Sequence, residues 1–176
     1  LAARMRGEDT VVVTSIGEGG TAQGDVHEGM NWASIYKLGV IFFVQNNKYA
    51  ISVPLAHQSV APSLAHKAVG YGMAGERVDG NDVVALLAVL DRAVKLAREG
   101  SGPLLVEANT YRMQAHTNAD DDTRYRQNSE VAEWRAKDPV NRMRTYLTDR
   151  GLLDDDGEAR IRAKAEAVAT QLPVGL

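Results

Sequence analysis

The stretch Thr10-Val11-Val12-Val13-Thr14-Ser15-Ile16-Gly17-Glu18-Gly19-Gly20 decides the fold. Residues 10–16 are β-branched and largely apolar, the composition of a strand buried on both faces of a parallel sheet. A glycine-rich turn, Gly17 to Gly24, follows it. A helical pattern then runs from about Asp25 to Lys37, with Val26, Met30, Ala33 and Tyr36 or Lys37 on one side. Val40 to Gln45 reads as a second buried strand. The three elements form a βαβ unit, whose crossover is right-handed almost without exception.

Working outward, Pro54 to Pro62 reads as a loop, and Ser63 is placed to cap a short helix to about Val69. Gly75 to Val78 suits a short strand. Asn81-Asp82 caps a long helix, Val83 to Glu99, which Gly100 and Pro103 stop. Leu104 to Thr110 is a third strand. Arg112 to Asn128 lacks apolar periodicity, and its length marks a functional or mobile loop. Further helices are expected from Ser129 to Arg135, from Asp138-Pro139 to Gly151, and from Asp154–Asp156 to about Leu172. Alternating strands and helices specify α/β, a doubly wound and mostly parallel sheet with C-terminal helices.

Composition excludes several functions. The 176 residues carry a net charge of -3, which leaves no basic footprint for nucleic acid. No apolar run approaches the roughly 18 residues of a membrane helix. With no cysteine, disulfides, thiolate metal sites and cysteine nucleophiles are out of reach, and a reducing cytoplasm is the natural setting. Leu1-Ala2-Ala3-Arg4-Met5 is no signal peptide, and reads instead as the tail of a helix ended by Gly7. The chain is therefore expected to begin inside an element.

Open α/β sheets bind ligands beyond the carboxyl ends of their strands. Two polar clusters lie at such ends: Gly17-Glu18-Gly19-Gly20 and Asn46-Asn47-Lys48-Tyr49. Twenty-six residues lie between Gly19 and Asn46, the length of one helix and one strand, so both clusters return to one edge. Glycines let backbone N–H groups approach an anion, and a nearby helix N-terminus adds its dipole. One carboxylate with neutral oxygens suits Mg²⁺, which takes few protein ligands together with phosphate and water. Glu18, the Asn47 side chain and the Tyr49 carbonyl could supply three of six oxygens.

Glu18-Gly19 and Asn46-Asn47, with their surroundings, resemble the thiamine-diphosphate signature. Thr21 to Ala33, Gln45 to Pro54, Val78 to Asp82 and Tyr111 to Arg126 look like alpha subunits of the decarboxylating component of 2-oxo acid dehydrogenases. The resemblance covers roughly residues 8 to 153. It implies thiamine diphosphate and Mg²⁺ as cofactors, with Glu18, Asn47 and Tyr49 on the metal. Gly19, Gly20 and Gln45 would then face the diphosphate. By the same resemblance residues 1–128 form an N-terminally incomplete cofactor-binding α/β domain, and 129–176 a helical segment packed on it.

In the long loop, His116 matches the histidine that reaches the cofactor and serves acyl transfer to a lipoyl group. Arg112, Asp120, Tyr125 and Arg126 match the network that orders this loop. Thr117 takes the position of a regulated phosphoserine in mitochondrial relatives. Ser52 and Pro54 fall where relatives place a monovalent-cation loop or contacts near the cofactor ring. His27, His57 and His66 read as structural. The implied activity is oxidative decarboxylation of a small 2-oxo acid, followed by reductive acylation of a lipoyl-bearing acyltransferase. The implied partner is a beta subunit in an α₂β₂ assembly. Glu18, in place of the commoner Asp, and the His116-to-Asp120 spacing favour branched-chain substrates. Pyruvate and acetoin enzymes are the alternatives, and a non-catalytic interaction subunit is the rival of another class.

Overall fold

The computed structural model describes residues 1–171. They fall into two compact units, Leu1–Lys137 and Asp138 onward. The first opens with a short helix α1 (Ala2–Met5), after which Gly7 takes the left-handed φ of 69°. Its sheet comprises β1 (Val12–Gly17), β2 (Val40–Asn46), β5 (Ala74–Asp79) and β6 (Leu104–Asn109), all parallel, in the order β1-β2-β6-β5. A separate antiparallel pair joins β3 (Tyr49–Ala50) to β4 (Val53–Pro54). Helix α2 is Gly24–Ile35, α3 is Val83–Arg98 and α4 is Asn128–Arg135. A 3₁₀ segment spans Leu64–Tyr71.

The expected doubly wound α/β architecture follows from alternation in the two central strands. Phe42 and Val44 of β2 and Leu105 of β6 pack with Met30 and Ala33 of α2 and with Leu64, Ala65 and Ala68. Ile41, Leu104 and Val106 point the other way, into a cluster with Val89, Ala93 and Ala97 of α3. Successive side chains leave opposite faces of a strand, so one apolar run serves both layers.

Four local expectations are corrected. Strand β1 is not buried on both faces: it lies at the sheet edge, and Val12 and Val13 are 49% and 54% exposed. Ser63 does not cap its segment, because its hydroxyl pairs with His66 Nδ1 at 2.8 Å. The Ala65 N–H is taken instead by the Glu107 carboxylate at 2.9 Å. At the next helix Asp82 alone caps, accepting from Ala85 N, while buried Asn81 accepts from Thr110 Oγ1 and donates to the Lys137 carbonyl. Helix α2 stops at Ile35, and Lys37 adopts the left-handed φ of 48°.

Helix α4 begins at Asn128, ahead of Ser129, and belongs with the first unit. The second unit holds α5 (Pro139–Asp149) and α6 (Asp155–Gln171). Asp138 caps α5 through Val140 N and Asn141 N, and Arg144 joins Glu158 at 2.9 Å. Leu172, the expected end of α6, lies outside the described residues. Among the described residues no helix is long and apolar enough to cross a membrane.

Candidate cofactor site

The register of β1 on β2 sets Gly17 opposite Gln45, so the turns leaving both strands meet. Glu18 is buried, and its Oε2 accepts from Asn47 N at 3.1 Å; no described residue hydrogen-bonds its Oε1. Asn46 Oδ1 accepts from Lys48 N and Asn47 Oδ1 from Tyr49 N, each at 3.2 Å. These are successive Asx turns, in which a short side chain replaces a backbone partner. Within them Lys48 takes a left-handed φ of 81°, and Ile51, in the turn between β3 and β4, takes one of 56°. Lys48 Nζ donates to Asn109 Oδ1, which also accepts from Arg77 Nη2. Burial and the neighbouring Arg77 lower the Lys48 pKa.

The Tyr49 carbonyl, the third candidate metal oxygen, accepts from Arg112 Nη1 at 2.9 Å. A carbonyl has two lone pairs, so one remains for a cation. Among the described residues there is no cluster of three or more His, Cys, Asp or Glu that could cage a metal. One carboxylate, one amide oxygen and one carbonyl fit a hard ion completed by phosphate oxygens and water.

The glycine turn is equally constrained. A Cβ on Gly19 would lie 2.7 Å from Ala50 Cβ, and one on Gly20 would lie 3.0 Å from Ile16 Cγ2. Gly19 is therefore required by close approach of the two turns. Gly19→Ala should cost about 1–3 kcal/mol through overpacking, read as a lower urea midpoint. Adding Ala50→Gly should restore most of the loss, and a midpoint unchanged in Gly19→Ala would refute the contact. Gln58, which the sequence did not single out, places a buried Oε1 without a hydrogen-bond partner 3.7 Å from that same Cβ position. Gln45 is exposed and donates to Ser15 Oγ across β1.

The loop after β6 joins the site through Arg112. Besides the Tyr49 carbonyl, its guanidinium donates to the Ile51 carbonyl at 2.6 Å and to Tyr125 Oη at 3.0 Å. Its Nη1 lies 3.5 Å from His116 Nδ1. Asp120 Oδ2 accepts from Tyr125 Oη at 2.6 Å and from His116 N at 2.8 Å, and both bonds lower its pKa. Arg126 is buried, donating to Asp122 and to the carbonyls of Arg112 and Met113, with its guanidinium over the Tyr111 ring. Polar ties thus replace the missing apolar periodicity. His116 itself is exposed.

Tyr49 anchors the turn from its other end. Its hydroxyl donates to both carboxylate oxygens of Glu130 at 3.1 and 3.0 Å, and its ring meets Tyr125 at 5.5 Å. Burial, then Glu130, pushes its pKa up to about 12. The neutral phenol's contribution is complete below the unfolded value of about 10 and is lost as pH rises through the folded one. Stability should therefore fall between about pH 10 and 12, and more shallowly in Tyr49→Phe. Parallel urea-midpoint profiles for the two proteins would contradict this.

Of the other sequence candidates, His27 Nδ1 pairs with Tyr71 Oη and His66 with Ser63. His57 is exposed in a 3₁₀ turn, and Pro54 pairs with Tyr49 in the small hairpin. Glu18, Asn47, Tyr49, Arg112, His116, Asp120 and Tyr125 form one continuous run of contacts, to which Arg126 attaches through the Arg112 carbonyl.

A family model described as "Dehydrogenase E1 component" matches residues 1–171. The chain is 51% identical over 172 residues to 3-methyl-2-oxobutanoate dehydrogenase subunit alpha of Mycobacterium tuberculosis, covering 98% of this chain and 47% of that protein. It is 46% identical to the pyruvate dehydrogenase E1 component subunit alpha of Staphylococcus aureus, covering 96% of this chain and 46% of that one. The chain thus spans about half the length of the curated relatives it matches. A solved structure described as a thiamin diphosphate-dependent enzyme from Mycobacterium smegmatis superposes over 62% of this chain and 20% of its own, at TM-score 0.46 and 26% identity.

Proposed function

Since the chain belongs to the family of dehydrogenase E1 components, we propose that it forms the diphosphate- and metal-binding part of a thiamine-diphosphate-dependent 2-oxo acid dehydrogenase. The observation that carries this reading is the buried Glu18 carboxylate held against Asn47 beside the glycine turn. Glu18, Asn47 and the Tyr49 carbonyl hold Mg²⁺, and the backbone N–H groups of Gly19 and Gly20 receive the diphosphate. Gln45, which donates to Ser15, would have to turn toward the diphosphate to join them. Thiamine diphosphate supplies the chemistry at the substrate carbon, while the protein binds and orients it and excludes water.

Arg112 links the metal turn to the loop that carries His116. The His116 imidazole would donate a proton to one sulfur as the dithiolane S–S bond of a lipoyl group breaks, while the other sulfur takes the acyl group. The remaining elements of the reaction come from a beta subunit in an α₂β₂ assembly and from a lipoyl-bearing acyltransferase. A branched-chain 2-oxo acid is the favoured substrate, because the relative matched at 51% acts on 3-methyl-2-oxobutanoate and the pyruvate enzyme is matched at 46%.

The test is ligand linkage in the intact protein assembled with its partner. Thiamine diphosphate at a hundredfold its Kd, in saturating Mg²⁺, should stabilise the protein by about 2.7 kcal/mol, read as a rise in Tm. Neither ligand alone should reproduce the rise. An unchanged Tm with both present would leave a non-catalytic interaction subunit as the better reading.

A further inference from the structure

Two charged side chains outside the ligand set reach it through buried intermediaries, and both lines start from the 64–71 segment. Lys67 Nζ donates to the Thr21 carbonyl at 2.9 Å and to Thr21 Oγ1 at 2.8 Å. With its oxygen receiving the ammonium, the buried Thr21 hydroxyl directs its own proton to the Glu18 carbonyl at 2.6 Å. No carboxylate of the described residues lies within ion-pair distance of Lys67, and burial lowers its pKa. An ammonium that meets only neutral oxygens beside a glycine turn gains from any anion arriving there.

The second line ends on the asparagine turn. Glu107, only 1% exposed in the middle of β6, accepts from Ala65 N through Oε2 and from Asn46 Nδ2 through Oε1, at 2.9 and 2.7 Å. Asn46 is fully buried, and with its amide so held its Oδ1 fixes Lys48 N while its carbonyl receives Thr110 N. Asn47, the next residue, can then move only with this lattice. The segment itself has little freedom. A Cβ on Gly75 of β5 would come within 2.2 Å of the Ala65 carbonyl, and Leu64, Ala65 and Ala68 are core residues.

We infer that the 64–71 segment is a common buttress for both ligand turns, with Lys67 the positioning residue of the glycine turn through Thr21 and Glu107 that of the asparagine turn through Asn46. The inference rests on the proposed cofactor site and adds residues that touch neither metal nor diphosphate. It separates two effects. Loss of Lys67 loosens the turn that carries Glu18, Gly19 and Gly20, whereas neutralising Glu107 disturbs the turn that carries Asn47. In Glu107→Gln the new amide N–H₂ must face either Ala65 N–H or the Asn46 amide, donor against donor.

The experiment uses the full-length protein assembled with its partner chain, Mn²⁺ as a spectroscopic probe for Mg²⁺, and thiamine diphosphate. Lys67→Met should weaken thiamine diphosphate binding roughly tenfold or more, the worth of hydrogen bonds from a charged donor. Lys67→Arg should recover most of the affinity. Glu107→Gln should change the bound-Mn²⁺ resonance itself; should that variant fail to fold, the two Lys67 variants decide. Ligand-free Tm is measured for each, because a purely structural role would make affinity loss follow Tm loss. Such tracking, or wild-type affinity in Lys67→Met, would overturn the buttress. A wild-type protein that binds neither ligand would instead sink the functional reading on which it rests.

Discussion

In Glu18→Ala, Mg²⁺-dependent binding of thiamine diphosphate is lost, with affinity down by more than about 10²-fold. Partners in a metal's outer shell are typically worth 10–100-fold, and Glu18 is the one carboxylate in the proposed ligand set. The substitution also strips the acceptor from Asn47 N, and a buried donor left unpaired costs about 1–3 kcal/mol. Glu18→Gln separates these effects, because the amide oxygen can still receive Asn47 N while the charge is gone. Both variants should lose metal-dependent binding in titration calorimetry, and only the alanine should lose appreciable stability. Cofactor affinity like that of wild type in either variant would remove Glu18 from the metal.

His116→Ala separates two activities that share one site. His116 is tied to the loop through its backbone, by donation from its N–H to Asp120, and its ring meets only the edge of Arg112. Removing the ring therefore leaves the Arg112–Asp120–Tyr125 network in place. Decarboxylation assayed with an artificial electron acceptor should persist. Acylation of a lipoyl domain should fall by about two orders of magnitude, within the 10²–10⁴-fold typical of general acid catalysis. If both activities fell together with cofactor affinity, the ring would be a diphosphate ligand. If neither moved, the loop would have no part in transfer.

What could be read from the sequence divides along the range of the interactions. The pairing of Glu18 with Asn47 was legible because one helix and one strand return the chain to the same edge, a constraint of topology. The central strands were legible because their apolar runs serve two faces, and Asp82 and Asp138 because a helix cap acts within three residues. Strand β1 is richer in β-branched residues than β2 yet lies at the edge, since composition says nothing of neighbour order. Ser63 and Glu107 show the other limit. A local hydroxyl was in position to cap, and a carboxylate 42 residues away took the N–H instead. Lys67 was silent for the same reason, as its partner Thr21 lies 46 residues away.

The edge position of β1 bears on how the chain behaves in a concentrated solution. Outside β1 no strand of the described residues completes its ladder, and neither valine near its start is covered. An unpaired row of N–H and C=O groups flanked by β-branched side chains is a template for strand addition by another molecule. Handled on its own, the chain invites self-association along this strand. A lysine at position 13 is the kind of guard that natural sheets place there, and aggregation during purification becomes a question about Val13 before it is one about the core.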